Sequence, residues 1–242
     1  MKLSDENPLG QDTAQEKNTV AKFIAKFLAL NDAPAVFHLP GGMIAFLTDA
    51  IYNEARTTLV TNRNEQASGF AAEGATRVAG KSAVAMGTSG PGATNLVTAI
   101  ASSYFDSVPT IFITGQVNTE EIRKDPKQRQ NGFQELDITK LVEGITKRTY
   151  SPKTPRDVYD SLIDAWTLAN TGRKGPVLID IPIDLQQDEF QLDLTPPVVD
   201  FTQTQYEITD QVFLKVNQLI NGAKRPLILV GGGVRTTTPC LL

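Results

Sequence analysis

Short runs of β-branched and aliphatic residues alternate along this chain with longer segments whose apolar positions recur at helical spacing. The runs are "AVFHL" 35–39, "TTLVT" 57–61, "SAVAMG" 82–87, "PTIFIT" 109–114, "PVLIDI" 176–181 and "PLILV" 226–230. Helical spacing predicts helices near 13–30, 43–54, 64–79, 91–106, 134–144, 155–170 and 209–222. This alternation is the rhythm of a parallel α/β sheet with helices on both faces, and runs apolar on both sides suit strands covered from both directions. Ligands of such sheets bind beyond the carboxyl ends of the strands, which directs attention to the loops at 40–43, 62–65, 87–92 and 115–134.

The pattern also divides the chain. Residues 1–14 are polar and read as a flexible amino-terminal segment, and 15–185 carry the main α/β domain. The stretch 186–205, with Pro196-Pro197 and no sustained period, reads as a linker. Residues 206–242 read as the start of a second α/β unit, in which "PLILVGGGV" leads into a glycine turn.

Composition narrows the function. Of the 242 residues, 23 are basic and 27 acidic, giving a net charge of −4, which disfavours a nucleic-acid or membrane-surface partner and favours a metabolite. No apolar run reaches the roughly 18 residues needed to span a bilayer, and the first residues lack a signal-peptide core, so a cytoplasmic protein is expected. A lone cysteine, Cys240, excludes a disulfide framework within the chain, and a lone histidine, His38, excludes a multi-histidine zinc site.

Three stretches invite chemistry. "MGTSGPGATN" 86–95 passes from a strand into a helix through three glycines, with Pro91 suited to a first helical turn. Exposed amides at such a start attract anions or polar ligands, although a plain βα turn capped by Thr88 or Ser89 reads the same way. "HLPGG" 38–42 ends another strand in a glycine pair where backbone can approach a ligand, or simply turn. "NRNEQASGFAAEGATR" 62–77 places Glu65 at the head of a helix otherwise rich in Ala, Gly and Ser. A first-turn acid is favoured by the helix dipole alone. The small residues behind it imply close packing against another element or a second copy of the chain, with the carboxylate at the seam.

Together with "DSVPTIFITGQV", "GFQELD" and "GPVLIDIP", these stretches resemble the pyrimidine-binding domain of thiamine-diphosphate enzymes, and most closely the catalytic subunit of acetolactate synthase. The resemblance runs in order over about residues 15–185 and weakly over 205–234. It implies that Glu65 hydrogen-bonds the aminopyrimidine nitrogen of thiamine diphosphate and promotes proton removal from its thiazolium ring. It further implies that Gly41 and Gly42 line the thiazolium, that Pro91 and Asn95 border the pyrimidine, and that Phe133 and Gln134 face the substrate. Arg173 matches a residue that contacts FAD, and Gly231, Gly232 and Gly233 match a flavin loop. Phe133 has a core residue as its alternative reading, and Arg173 reads equally as a cation at a helix carboxyl end. The implied chemistry is decarboxylation of a 2-keto acid such as pyruvate followed by carbon–carbon bond formation, with Mg²⁺ and FAD required by the full-length enzyme. A homodimer through the pyrimidine domains is implied as well.

Departures qualify this expectation. "TGQVN" carries no histidine pair, which disfavours simple decarboxylation, and "GQVNTEEIRKD" lacks the proline and basic pair usual in acetolactate synthases. Ile183 stands where a lysine is usual. No "GDG…N" motif for Mg²⁺ and diphosphate occurs, so this chain is expected to supply no metal ligand and to be inactive alone, as the amino-terminal part of a longer enzyme. A non-catalytic module pairing with a separate diphosphate-binding subunit is the alternative.

Overall fold

The computed structural model describes residues 17–125, 127–189, 196–200 and 209–232. Helix α1 (Val20–Leu30) starts at Thr19, whose side chain accepts the Lys22 amide, and β1 (Ala35–His38) follows. A 3₁₀ turn over Gly42–Ile44 leads into α2 (Ala45–Glu54), then β2 (Thr58–Thr61) and α3 (Glu65–Ala79). Next come β3 (Val84–Gly87), α4 (Pro91–Asn95), α5 (Val97–Phe105) and β4 (Ile111–Gln116). Then come α6 (Ile138–Val142), β5 (Arg148–Tyr150), α7 (Pro155–Asn170), β6 (Val177–Pro182) and α8 (Ile183–Gln187), and α9 (Asp210–Gly222) follows later in the chain.

The sheet is wholly parallel, in the order β2-β1-β3-β4-β6-β5. Side chains alternate across it, so the two faces of β6 serve different cores. Val177, Ile179 and Ile181 join Val84, Met86, Ile111 and Ile113 beneath α1, α2 and α7, where Phe27 meets Trp166 edge-on at 5.5 Å. On the other face Ala85, Phe112 and Leu178 pack against α3, α5 and α6. Ala83, just before β3, and Ala85 within it leave room on this second face for α3 to lie close. A Cβ added to Gly69 of α3 would stand 2.4 Å from Cβ of Ala99 in α5, so the small residues of 64–79 serve first to bring these two helices of one chain together.

Several expectations are corrected. The 91–106 helix divides at Leu96, whose N–H bonds Ala93 in a tight turn rather than continuing the α ladder. The 134–144 helix shortens to Ile138–Val142. Strand β5, three residues reading RTY, carries no apolar run, and α8 falls where the linker was expected to begin. Within the described residues 196–200 the chain is held to the domain: the side-chain amide of Asn31 donates to the Pro197 carbonyl at 3.0 Å and accepts from the Val199 N–H at 2.7 Å. Residues 226–230 form no strand, because no described residue pairs with them and Leu227 to Val230 are exposed. The amino-terminal segment 1–14 lies outside the described residues.

Candidate functional site

The connection from β1 leads outward to β2, whereas that from β3 leads the other way to β4, so the loops after β1 and β3 diverge at a switch point in the sheet. The residues singled out in "HLPGG" and "MGTSGPGATN" are those two loops. Glu65 arrives beside them from the end of β2. Its helix is capped by Asn64, whose side chain accepts from Gln66 N–H at 2.8 Å and Ala67 N–H at 3.4 Å.

Glu65 is 7% exposed. Oε2 accepts a 2.9 Å hydrogen bond from Nδ2 of Asn95, which the turn at Leu96 delivers from the end of α4. Among the described residues no hydrogen bond reaches Oε1, which lies 3.2 Å from where a Cβ on Gly92 would sit. One carboxylate oxygen is therefore fixed from within the chain and the other is left for a partner. The surrounding backbone is pared back: a Cβ on Gly41 would approach Cβ of Thr88 to 2.5 Å, and one on Gly92 would approach Cγ2 of the same threonine to 2.6 Å. Thr88 thus packs between the two glycine loops, and Pro91 opens α4 at its rim.

A third loop closes on the second. Gly90, with φ +57°, faces the backbone of Gln134, whose carbonyl oxygen would lie 2.7 Å from an added Cβ. Gln134 itself holds φ 59°, an uncommon left-handed conformation for a side-chain-bearing residue. Beside it Phe133 is 73% exposed, so its core reading is excluded. This turn is tied down from below. Gln116 donates from Nε2 to the Leu136 carbonyl at 2.8 Å and to Asp180 Oδ2 at 2.9 Å, while Thr114 donates to Asp180 Oδ1 at 2.6 Å. Burial pushes the Asp180 carboxyl up to about 6, against the pull of those two hydrogen bonds and aided by the nearby charge of Asp137.

His38 is a core histidine: its Nε2 lies 3.0 Å from Thr61 Oγ1, and burial lowers its pKa, favouring the neutral ring. It borders, with Gly41, Gly42 and Asp49, a groove of about 660 Å³ beyond β1 and β2. Glu65, Asn95, Pro91, Gly41 and Gly42 are gathered at one end of the sheet, and the Phe133-Gln134 turn adjoins them through Gly90. Arg173 is not among them. It precedes β6, at the opposite end, and donates from Nε to Ser107 Oγ at 3.0 Å. Gly231 and Gly232 are exposed with nothing within 4 Å of an added Cβ, and Gly233 and Cys240 lie outside the described residues. The sequence did not single out Thr88 as more than a cap, nor Gln116 and Asp180, whose polar side chains inside apolar strands were the available signal.

Glu65, with one carboxylate oxygen unbonded among the described residues, thus stands beside glycine-walled backbone at a switch point, where it can accept a hydrogen bond from a ligand. Residues 18–141 match the model of the family described as thiamine pyrophosphate enzyme, N-terminal TPP binding domain, and the chain belongs to that family. Within it the chain is 40% identical over 227 residues to an acetolactate synthase large subunit of Corynebacterium glutamicum, covering 93% of this chain and 35% of the relative. It is 38% identical over 225 residues to the acetolactate synthase isozyme 1 large subunit of Escherichia coli, with 93% and 39% covered. Identity is 34% over 231 residues to the mitochondrial acetolactate synthase catalytic subunit of Saccharomyces cerevisiae. The chain thus spans between 33% and 39% of the length of these three relatives.

Proposed function

We propose that this chain supplies the pyrimidine half of a thiamine diphosphate site in an acetolactate-synthase-type enzyme, which joins a decarboxylated 2-keto acid such as pyruvate to a second carbonyl compound. The observation that carries the reading is the half-satisfied carboxylate of Glu65. Asn95 holds Oε2, and Oε1 is left facing the Gly92 backbone, where a ring nitrogen can meet it. Thiamine diphosphate supplies a carbon acid and an electron sink for the carbanion left by decarboxylation. Glu65 exchanges a proton with the pyrimidine nitrogen. Gly41 and Gly42 let the backbone lie against the thiazolium, Pro91 and Asn95 border the pyrimidine, and the Phe133-Gln134 turn faces the substrate.

Mg²⁺ and FAD belong to the proposal for the longer enzyme. Among the described residues no cluster of three or more His, Cys, Asp or Glu is placed to hold a metal ion. Arg173, Gly231, Gly232 and Gly233 are the residues proposed to reach the flavin. No helix among the described residues is long and apolar enough to cross a membrane, and a cytoplasmic location is proposed with the function. Second copies of the chain are proposed to pair through the outward side of α3 and α5, where Phe70, Val78 and Phe105 are exposed.

A chimera tests the reading. Residues 18–189 replace the corresponding part of the Escherichia coli isozyme 1 large subunit, and acetolactate formation from pyruvate is measured with thiamine diphosphate and Mg²⁺. Turnover that falls about 100-fold or more in the Glu65→Gln chimera, which keeps the hydrogen-bonding shape without the acid, is the expected result. Equal turnover by both forms would contradict the assignment.

A further inference from the structure

The glycine pair after β1 is held by side chains that its own sequence gives no hint of. Met43 follows Gly42 in the middle of the 3₁₀ turn, and both of its backbone groups are bonded by side chains from elsewhere in the chain. Its N–H donates to Thr88 Oγ1 at 3.2 Å, and its carbonyl accepts from Gln186 Nε2 at 2.8 Å. Those partners come from different places: Thr88 from the loop after β3, Gln186 from α8 after β6. Gln186 is fully buried, and its Nε2 also reaches the Ile181 carbonyl at 3.1 Å, which anchors the amide to the end of β6. The same peptide presses onto β4, where a Cβ on Gly115 would come within 1.9 Å of the Met43 oxygen. The loop after β3, strand β4 and the helix after β6 therefore converge on one residue of the β1 loop, Met43.

We propose that Gln186 and Thr88 are positioning residues that clamp the Gly42-Met43 backbone, so that the glycine loop is preorganised for the thiazolium ring. The inference rests on the functional reading above. The physical reason is the cost of ordering a loop of two glycines, which have more conformational freedom to lose than any other residue. A ligand that had to order it would bind more weakly by that cost; a loop ordered beforehand avoids it. The clamp acts at the two ends of one residue. Gln186 fixes where the carbonyl points, Thr88 fixes the amide, and the methyl end of Thr88 also abuts both Gly41 and Gly92, which couples the two glycine loops. Neither side chain needs to touch the cofactor. Gln186 sits in "DIPIDLQ", beyond the stretch matched by the family model, and it is a polar residue buried beside an apolar core whose amide nitrogen is spent on the Met43 and Ile181 carbonyls.

The test separates ordering of the loop from binding of the ligand. Thr88→Val and Gln186→Met keep shape and remove the hydrogen bond, and Thr88→Ser keeps the hydroxyl. In the ligand-free chain, hydrogen exchange at the Met43 amide is expected to quicken at least tenfold in Thr88→Val and in Gln186→Met. It should stay near the unsubstituted rate in Thr88→Ser, with exchange in β3 and β4 unchanged in all three. Thiamine, followed by amide chemical shifts, is expected to bind at least fivefold more weakly to the two clamp-breaking variants and normally to Thr88→Ser. Unchanged Met43 exchange would overturn the clamp. Quickened exchange with undiminished thiamine affinity would show that the clamp serves the fold alone and would overturn its role towards the ligand. An unsubstituted chain that gives no thiamine-dependent shifts at Glu65 would instead contradict the functional reading, and the exchange result would still decide whether the clamp exists.

Discussion

Asp180 shows how much a single buried residue can set at this site. Its carboxyl ionises near pH 6 in the fold against an ordinary 3.8, which costs the folded state about 3 kcal/mol wherever the group is charged in both states. Because the folded value is raised, the folded state binds the proton first as pH falls, so the penalty is fully present above pH 6 and is relieved between 6 and about 3.8. Chemical denaturation of the unsubstituted chain and Asp180→Asn should therefore give a stability difference that moves in favour of the unsubstituted chain by about 2 to 3 kcal/mol from pH 7.5 to pH 4. A constant difference across that range would show that the carboxyl is not perturbed. At this scale the sequence was most legible where chemistry forces an odd residue into a uniform setting. Glu65 stood out among alanines and glycines, and the structure places it within reach of Asn95. Asp180 did not stand out, because "IDIP" reads as a strand with one polar position and its partners Thr114 and Gln116 lie more than 60 residues away.

Elements were legible in proportion to their apolar periodicity. The five apolar strands of the domain appear where alternating β-branched runs predict them, and α3 and α7 keep their expected lengths, each with an identifiable cap at Asn64 and Thr154. What was missed is short or polar: β5 pairs only three residues at the sheet edge, and α8 is a single turn after Pro182. The break at Leu96 coincides with the contact between Asn95 and Glu65, a tertiary contact that no local propensity records. Two close approaches between elements can be tested by adding one methyl group. Gly115→Ala in β4 would drive Cβ into the Met43 carbonyl, a backbone atom that cannot swing away, and should cost about 1 to 3 kcal/mol in thermal or chemical unfolding. Gly74→Ala in α3 meets nothing within 4 Å and should stabilise the helix by up to about 1 kcal/mol. The reverse order of the two effects would show that the packing of α3 and β4 is misdescribed.

For the whole molecule, the same open space around Gly74 makes it a probe of assembly. A glutamate at this position fits the isolated chain, yet in the proposed pairing through α3 it would bring like charges across a two-fold axis. Light scattering should show a dimer for the unsubstituted chain and a monomer for Gly74→Glu, with equal helicity by circular dichroism; a monomer in both cases would remove the pairing from the account. The position of the site is a property of the sheet, since the connections leaving β1 and β3 run to opposite sides and open a crevice into which Glu65 can project. That architecture was readable from the alternation of strands and helices, whereas the strand order that creates the crevice was not. The central claim is that this crevice receives the aminopyrimidine ring of thiamine with Glu65 as its partner. Titration of the chain with thiamine, followed by amide and side-chain chemical shifts, addresses it most directly: saturable shifts at Glu65, Asn95, Gly41 and Gly92, lost in Glu65→Gln, are predicted, and shifts that are absent, lie elsewhere, or persist unchanged in Glu65→Gln would contradict it.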